Sequence, residues 1–112
     1  MKRIWKFYIN NGSVATKERD TTIKVPKSAF GVRFMSAGLD GMEKLCVWVM
    51  VDDCSNPQIP EKKDKLEEIQ VRVRETGRQC DDVIGWQLID SVHEHYNVYH
   101  LFVKTSSKVR LK

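Results

Sequence analysis

Leu45-Cys46-Val47-Trp48-Val49-Met50-Val51 is the longest apolar run in the chain, and its conformation decides the fold. Seven residues are far too few to span a bilayer. A buried helix would give a similar run, but the valines, the shortness and the flanking turn residues Asp40-Gly41 and Asp52-Asp53 favour a strand. Leu45, Val47, Val49 and Val51 then face one way, and Cys46, Trp48 and Met50 the other. Both faces are apolar, which predicts a central strand covered on both sides.

The same period of two recurs outward from this run. Ile69, Val71 and Val73 alternate with Gln70, Arg72 and Arg74, the clearest alternation in the chain. Trp5, Phe7 and Ile9 alternate with Lys6 and Tyr8, and Asn10-Asn11-Gly12-Ser13 ends that strand. Thr21, Ile23 and Val25 form a strand stopped by Pro26. Residues 29–35, 83–92 and 98–104 supply three more, with a hairpin loop at 93–97. Residues 14–20 and 53–61 read as loops, and 61–68 has room for one helical turn. The expected fold is all-β: a single antiparallel barrel or sandwich of about seven strands over residues 1–104. A basic tail at 105–112 has the composition of a frayed end or a short edge strand.

The chain carries 19 Lys and Arg against 15 Asp and Glu, a net charge of +4. The charge is uneven: residues 1–35 carry net +6, 36–68 net −4 and 69–112 net +2. Three cysteines without a CxxC pair argue against a secreted disulfide framework. Residues 1–9 place charges inside the apolar pattern, so they do not read as a secretory signal. The expected compartment is the cytoplasm, with no membrane partner.

Candidate chemistry is sparse. GxGxxG, P-loop, HExxH and GxSxG patterns do not occur, and no cofactor or catalytic residue is assigned. His93 and His95, with His100 nearby, are weak metal candidates that Cys80, Asp81 and Asp82 would have to complete; solvated histidines at a hairpin tip are the simpler reading. Cys80 as a nucleophile with a histidine base lacks any local signature. Cys54 reads as a free surface thiol, and Asp52-Asp53 as a weak cation site. Trp5, Trp48 and Trp86 are best explained by core packing. If the early strands neighbour the fifth, Lys2, Lys6, Tyr8, Lys24, Arg72 and Arg74 form a basic face suited to single-stranded nucleic acid or a nucleotide. The alternative for these residues is an ordinary solvated sheet face.

Several of these segments together resemble a family of small uncharacterised proteins of bacteriophages and bacteria. The similarity lies in the opening Met1-Lys2-Arg3-Ile4-Trp5-Lys6-Phe7, in Thr22-Ile23-Lys24-Val25-Pro26-Lys27, in Cys46-Val47-Trp48-Val49-Met50-Val51-Asp52, in Thr76-Gly77 with Asp81 or Asp82, and in the strand from His100 to Phe102. It covers most of residues 1–103, with departures at 10–20, 53–68 and after Lys104. The family is a domain of unknown function, so it implies no site residues. It implies a phage accessory gene or a prophage remnant. The leading expectation is therefore a small non-enzymatic binding module that engages or inhibits a host or phage protein, countering a defence system being one such role. Nucleic-acid or nucleotide binding is the alternative, and a homodimer through a strand edge is a further expectation.

Overall fold

The computed structural model describes residues 2–9, 20–26, 31–52, 66–77, 80–94, 96–104 and 109–111. They form eight strands: β1 (Lys2–Tyr8), β2 (Asp20–Pro26), β3 (Val32–Leu39), β4 (Leu45–Asp52), β5 (Leu66–Glu75), β6 (Gln87–Glu94), β7 (Asn97–Val103) and β8 (Val109–Leu111). Two four-stranded sheets result, ordered β1-β4-β3-β8 and β2-β5-β7-β6. The sheets do not close into one hydrogen-bonded barrel, so the architecture is an all-β sandwich. The only helical element among the described residues is a 3₁₀ turn at Asp81–Val83, and none is long and apolar enough to cross a membrane.

The apolar run at 45–51 is the strand its valines predict, and β4 lies between β1 and β3. Leu45, Val47, Val49 and Val51 turn inward and are fully buried. They meet Ile23, Val25, Ile69, Val71, Val73, Leu101 and Val103 from the second sheet in one core. Burial of a Val or Leu side chain contributes roughly 1.5–3 kcal/mol, so these alternating positions hold the two layers together.

Several expectations shift in detail. The third strand runs past Met35, from Val32 to Leu39, because Met35 is taken up as a bulge between Phe34 and Ser36 and the ladder with β4 continues to Leu39. Residues 66–68 are not helical but open β5, pairing with 24–26; residues 61–65 lie outside the described region, as does the expected loop at 14–19. Within the basic tail, the short edge strand that its composition allowed is present as β8, whose Val109 is buried and which pairs with β3 in parallel. That pairing is the exception to an otherwise antiparallel set of ladders.

The largest departure is at 83–86. These residues look like the start of a strand, but Gly85 has φ +86 and the strand begins only at Gln87. β5 and β6 are both antiparallel to β7, which lies between them. They are therefore parallel to each other, and residues 76–86 must carry the chain back from the end of one to the start of the other. The apolar residues Val83 and Trp86 belong to this crossover.

The two sheets also meet at a corner. Ile89 is a bulge residue between Leu88 and Asp90 on β6. Beyond it, the half-buried Asp90 accepts the Ala37 N–H through Oδ2 (3.2 Å) and the Ser91 N–H through Oδ1 (2.9 Å). The carboxylate thus satisfies the β3 edge where β8 no longer covers it. A buried backbone N–H without a partner would cost about 1–3 kcal/mol.

Candidate functional site

The six basic-face candidates fall on two different sheets. Lys2, Lys6 and Tyr8 lie on β1, in the first sheet, and Lys24, Arg72 and Arg74 on β2 and β5, in the second. β1 and β5 are not neighbours, so the six do not form one stripe.

On the outer side of the second sheet Arg72 and Arg74 are paired with carboxylates, and Lys24 stands across from one. Lys24 stands directly opposite Glu68, and Arg72 opposite Asp20. Arg72 donates from Nε and Nη2 to the two carboxylate oxygens of Asp20, both at 2.6 Å, a bidentate geometry among the stronger hydrogen-bonded pairs. Its Nη1 donates to the Asp82 carbonyl (2.6 Å), and its guanidinium lies 4.2 Å from the Trp86 ring centroid. Arg74, buried, donates through Nε to Asp82 Oδ1 (3.2 Å) and through Nη2 to Asp82 Oδ2. The Arg72 guanidinium holds the Asp20 carboxyl below its ordinary range, and Arg74 does the same to Asp82. These arginines hold Asp82 and Trp86 of the crossover against the sheet. Trp86 is therefore a surface clamp residue rather than a core tryptophan.

Further along the same face, His100 has both ring nitrogens engaged. Nε2 lies 2.7 Å from Thr76 Oγ1 and Nδ1 lies 2.7 Å from Ser91 Oγ. A neutral imidazole offers one donor and one acceptor, so one hydroxyl accepts from it and the other donates. Register explains the meeting, since Ser91 pairs with His100 across β6 and β7. His93 is exposed on β6; His95, Cys54 and Asp53 lie outside the described residues. Cys80 is exposed at the head of the crossover. No group of three His, Cys, Asp or Glu among the described residues is placed to hold a metal.

The outer side of the first sheet is built differently. Alternation places Lys2, Ile4, Lys6 and Tyr8 of β1 beside Asp52, Met50, Trp48 and Cys46 of β4. Arg33, Ser36 and Gly38 of β3 follow on the other side. Cys46 is buried as expected, its thiol donating to the Gly38 carbonyl (3.6 Å) and its pKa pushed up by burial. Trp48 and Met50 are only half-buried, and Ile4 is 57% exposed. The expectation of a strand fully covered on both faces thus fails on this side, and of the three tryptophans only Trp5 packs against the core.

One end of this face is fixed by Asp40 in the turn between β3 and β4. Its Oδ1 accepts the N–H groups of Met42 (2.9 Å) and Lys44 (3.0 Å). Its Oδ2 accepts from Lys6 Nζ (3.3 Å) and from the Tyr8 hydroxyl (3.1 Å). These bonds, the Lys44 N–H foremost, bring the Asp40 pKa down to about 2. The Tyr8 ring has the ammonium groups of Lys6 and Lys44 at 4.8 and 5.6 Å from its centroid. Tyr8 is therefore engaged by neighbours and is no open stacking platform.

The other end carries what the sequence reading missed. Arg33 and Arg110 stand side by side in the parallel β3–β8 register, both exposed. Neither meets a carboxylate among the described residues. Adjacent like charges are destabilising in a sheet; here Arg33 stands beside Met50, which is also the register partner of Ile4, and Arg110 lies one strand further out. The outer face of the first sheet is thus an apolar centre of Ile4, Trp48 and Met50 with two cations beside it that meet no carboxylate among the described residues.

A family model described as Domain of unknown function (DUF7352) matches residues 1–112. The chain belongs to this family. The match bears out the expectation of a domain of unknown function and assigns no residue a role in the DUF7352 domain. Neither the curated proteins nor the solved structures contain a match to it.

Proposed function

We propose that this DUF7352 domain is a small non-enzymatic binding module that engages an acidic surface on a protein partner through the outer face of its first sheet. The supporting observation is the juxtaposition of Arg33 and Arg110, uncompensated among the described residues, with the half-exposed Trp48, Met50 and Ile4. An apolar centre bordered by charge is the usual composition of a protein-binding patch. The resemblance to phage and bacterial proteins supports an accessory role in which the partner is a host or phage protein in the cytoplasm, and the effect is inhibition of a host enzyme or defence system.

A nuclease-treated host lysate tests this reading. A partner retained by the wild-type chain should be lost with Arg33→Glu plus Arg110→Glu, and its retention should weaken with salt. A partner retained equally by that variant, or the absence of any specific partner, would overturn the proposal. The same cations beside Trp48 support a second reading, binding of single-stranded nucleic acid. A fluorescent oligonucleotide bound at low salt by the wild type and released by the same variant would favour it.

A further inference from the structure

Beyond that reading, and independently of it, we infer that β1 is a self-pairing edge through which two copies of the chain join their first sheets. Four strands end the two sheets: β1, β8, β2 and β6. β1 carries charged side chains, which discourage pairing at an edge, but the other three are blunted by length, proline or a bulge. β8 has three residues, β2 ends in Pro26, and β6 is bulged at Ile89 with the Asp90 carboxylate at its corner. β1 has seven residues in unbroken register with β4, without proline or bulge.

The phase of that ladder says which backbone groups are on offer. Ile9 donates its N–H to the Leu45 carbonyl (3.0 Å), so odd-numbered residues turn their N–H and C=O toward β4. Ile4 and Lys6 turn theirs to the opposite edge, where no strand among the described residues pairs with them. A twofold axis perpendicular to the sheet would bring the same edge of a second copy alongside, antiparallel, with outward side chains beside outward side chains.

Charge and the length of overlap then select the register, since centring on Phe7 also avoids like pairs but joins only residues 6–8 of the strand. With Trp5 on the axis, Ile4 stands opposite Lys6 of the second copy, Lys2 opposite Tyr8, and Arg3 opposite Phe7. No like charges face each other, and the lysines meet an aliphatic and an aromatic side chain. Moving the axis to Ile4 sets Lys2 against Lys6, and moving it to Lys6 sets Lys6 against itself. The Trp5-centred register also places Ile4 and Lys6 as a hydrogen-bonded pair, which exchanges both backbone bonds. It places the two Trp5 rings in the closer, non-hydrogen-bonded position. Trp5 and Phe7, with ring centroids 6.1 Å apart, are only half-buried on the core side of β1. A second copy would cover them.

Sedimentation velocity on the full chain over a concentration series is the test. The expected result is a species of twice the 13.0 kDa chain mass. Ile4→Pro removes an N–H directed at the second copy but none used by β4, so it should give a monomer with an unchanged circular-dichroism spectrum. Should Ile4→Pro lose the β spectrum, cysteine cross-linking replaces it, in a background of Cys54→Ser and Cys80→Ser. Trp5→Cys should then form a disulfide-linked dimer on oxidation, and Phe7→Cys, opposite Arg3, should not. A monomer at every concentration, a folded Ile4→Pro dimer, or linkage through Phe7→Cys but not Trp5→Cys would overturn the inference. Arg33→Glu plus Arg110→Glu should dimerise like the wild type, so this inference and the proposed function fail separately.

Discussion

The outer faces of the two sheets carry similar basic residues and use them in opposite ways. On the second sheet Arg72 and Arg74 are turned onto Asp20 and Asp82 and hold a crossover in place. On the first, Arg33 and Arg110 have no carboxylate among the described residues and stand beside apolar side chains. The difference teaches that an arginine's role follows from what its neighbours leave unsatisfied. Both kinds look identical in an alternating strand pattern. An arginine paired with a carboxylate contributes to the fold, and one without a carboxylate among the described residues is what the proposed binding face rests on.

The sharpest way to break this contrast is Arg74→Ala. It removes charge-assisted bonds from a buried side chain and leaves Asp82 held by Arg72 alone, so the crossover should loosen. A loss of about 2 kcal/mol is expected from urea denaturation, since hydrogen bonds to charged groups contribute roughly 1.5–3 kcal/mol. Unchanged stability would show that the clamp is not structural.

Acid titration gives the next largest effect. Asp40 has its folded pKa lowered from 3.8 to about 2. Its contribution is therefore complete above the ordinary carboxylate value and is lost as pH falls through about 2. Asp20 and Asp82 are shifted in the same direction by Arg72 and Arg74. The thermal midpoint should fall steadily below about pH 4. Asp40→Asn should flatten the first sheet's share of that fall while leaving the part due to Asp20 and Asp82. An identical pH profile for the variant would refute the Asp40 knot.

The smallest stability effect is expected where the proposed binding effect is greatest. Arg33→Ala and Arg110→Ala should each change stability by less than about 0.5 kcal/mol, as exposed positions without special contacts usually do. Separating two adjacent like charges should, if anything, stabilise. A large loss by thermal melting would place these arginines with the structural set of the second sheet.

Much of the fold was legible because burial on a sheet has a strict period. The inward positions of β4 and β5 follow directly from Leu45, Val47, Val49 and Val51, and from Ile69, Val71 and Val73. Pairing is less legible, because alternation says which way a residue points and not what lies beside it. Val83 and Trp86 therefore read as strand, although Gly85 turns the chain and no strand is available there. Three-residue β8 is too short to show a period, and its parallel partner is remote in sequence. The candidate site was less legible still. Asp40 reaches Lys6 and Tyr8 across more than 30 positions, and Asp82 reaches Arg74 only because the crossover folds back. The adjacency of Arg33 and Arg110 exists solely through the register of β3 with β8.

The crossover between β5 and β6 also dictates an order of assembly. β7 must occupy the slot between two strands that precede it in the chain, so β6 cannot settle against its sheet before β7 arrives. The simplest route is for the 87–103 hairpin to form by itself and dock onto β5 as a unit, drawing the 76–86 segment across the surface as it lands. Non-local closure of this kind slows folding. A refolding experiment should find the hairpin amides protected early and the arginine clamp formed last.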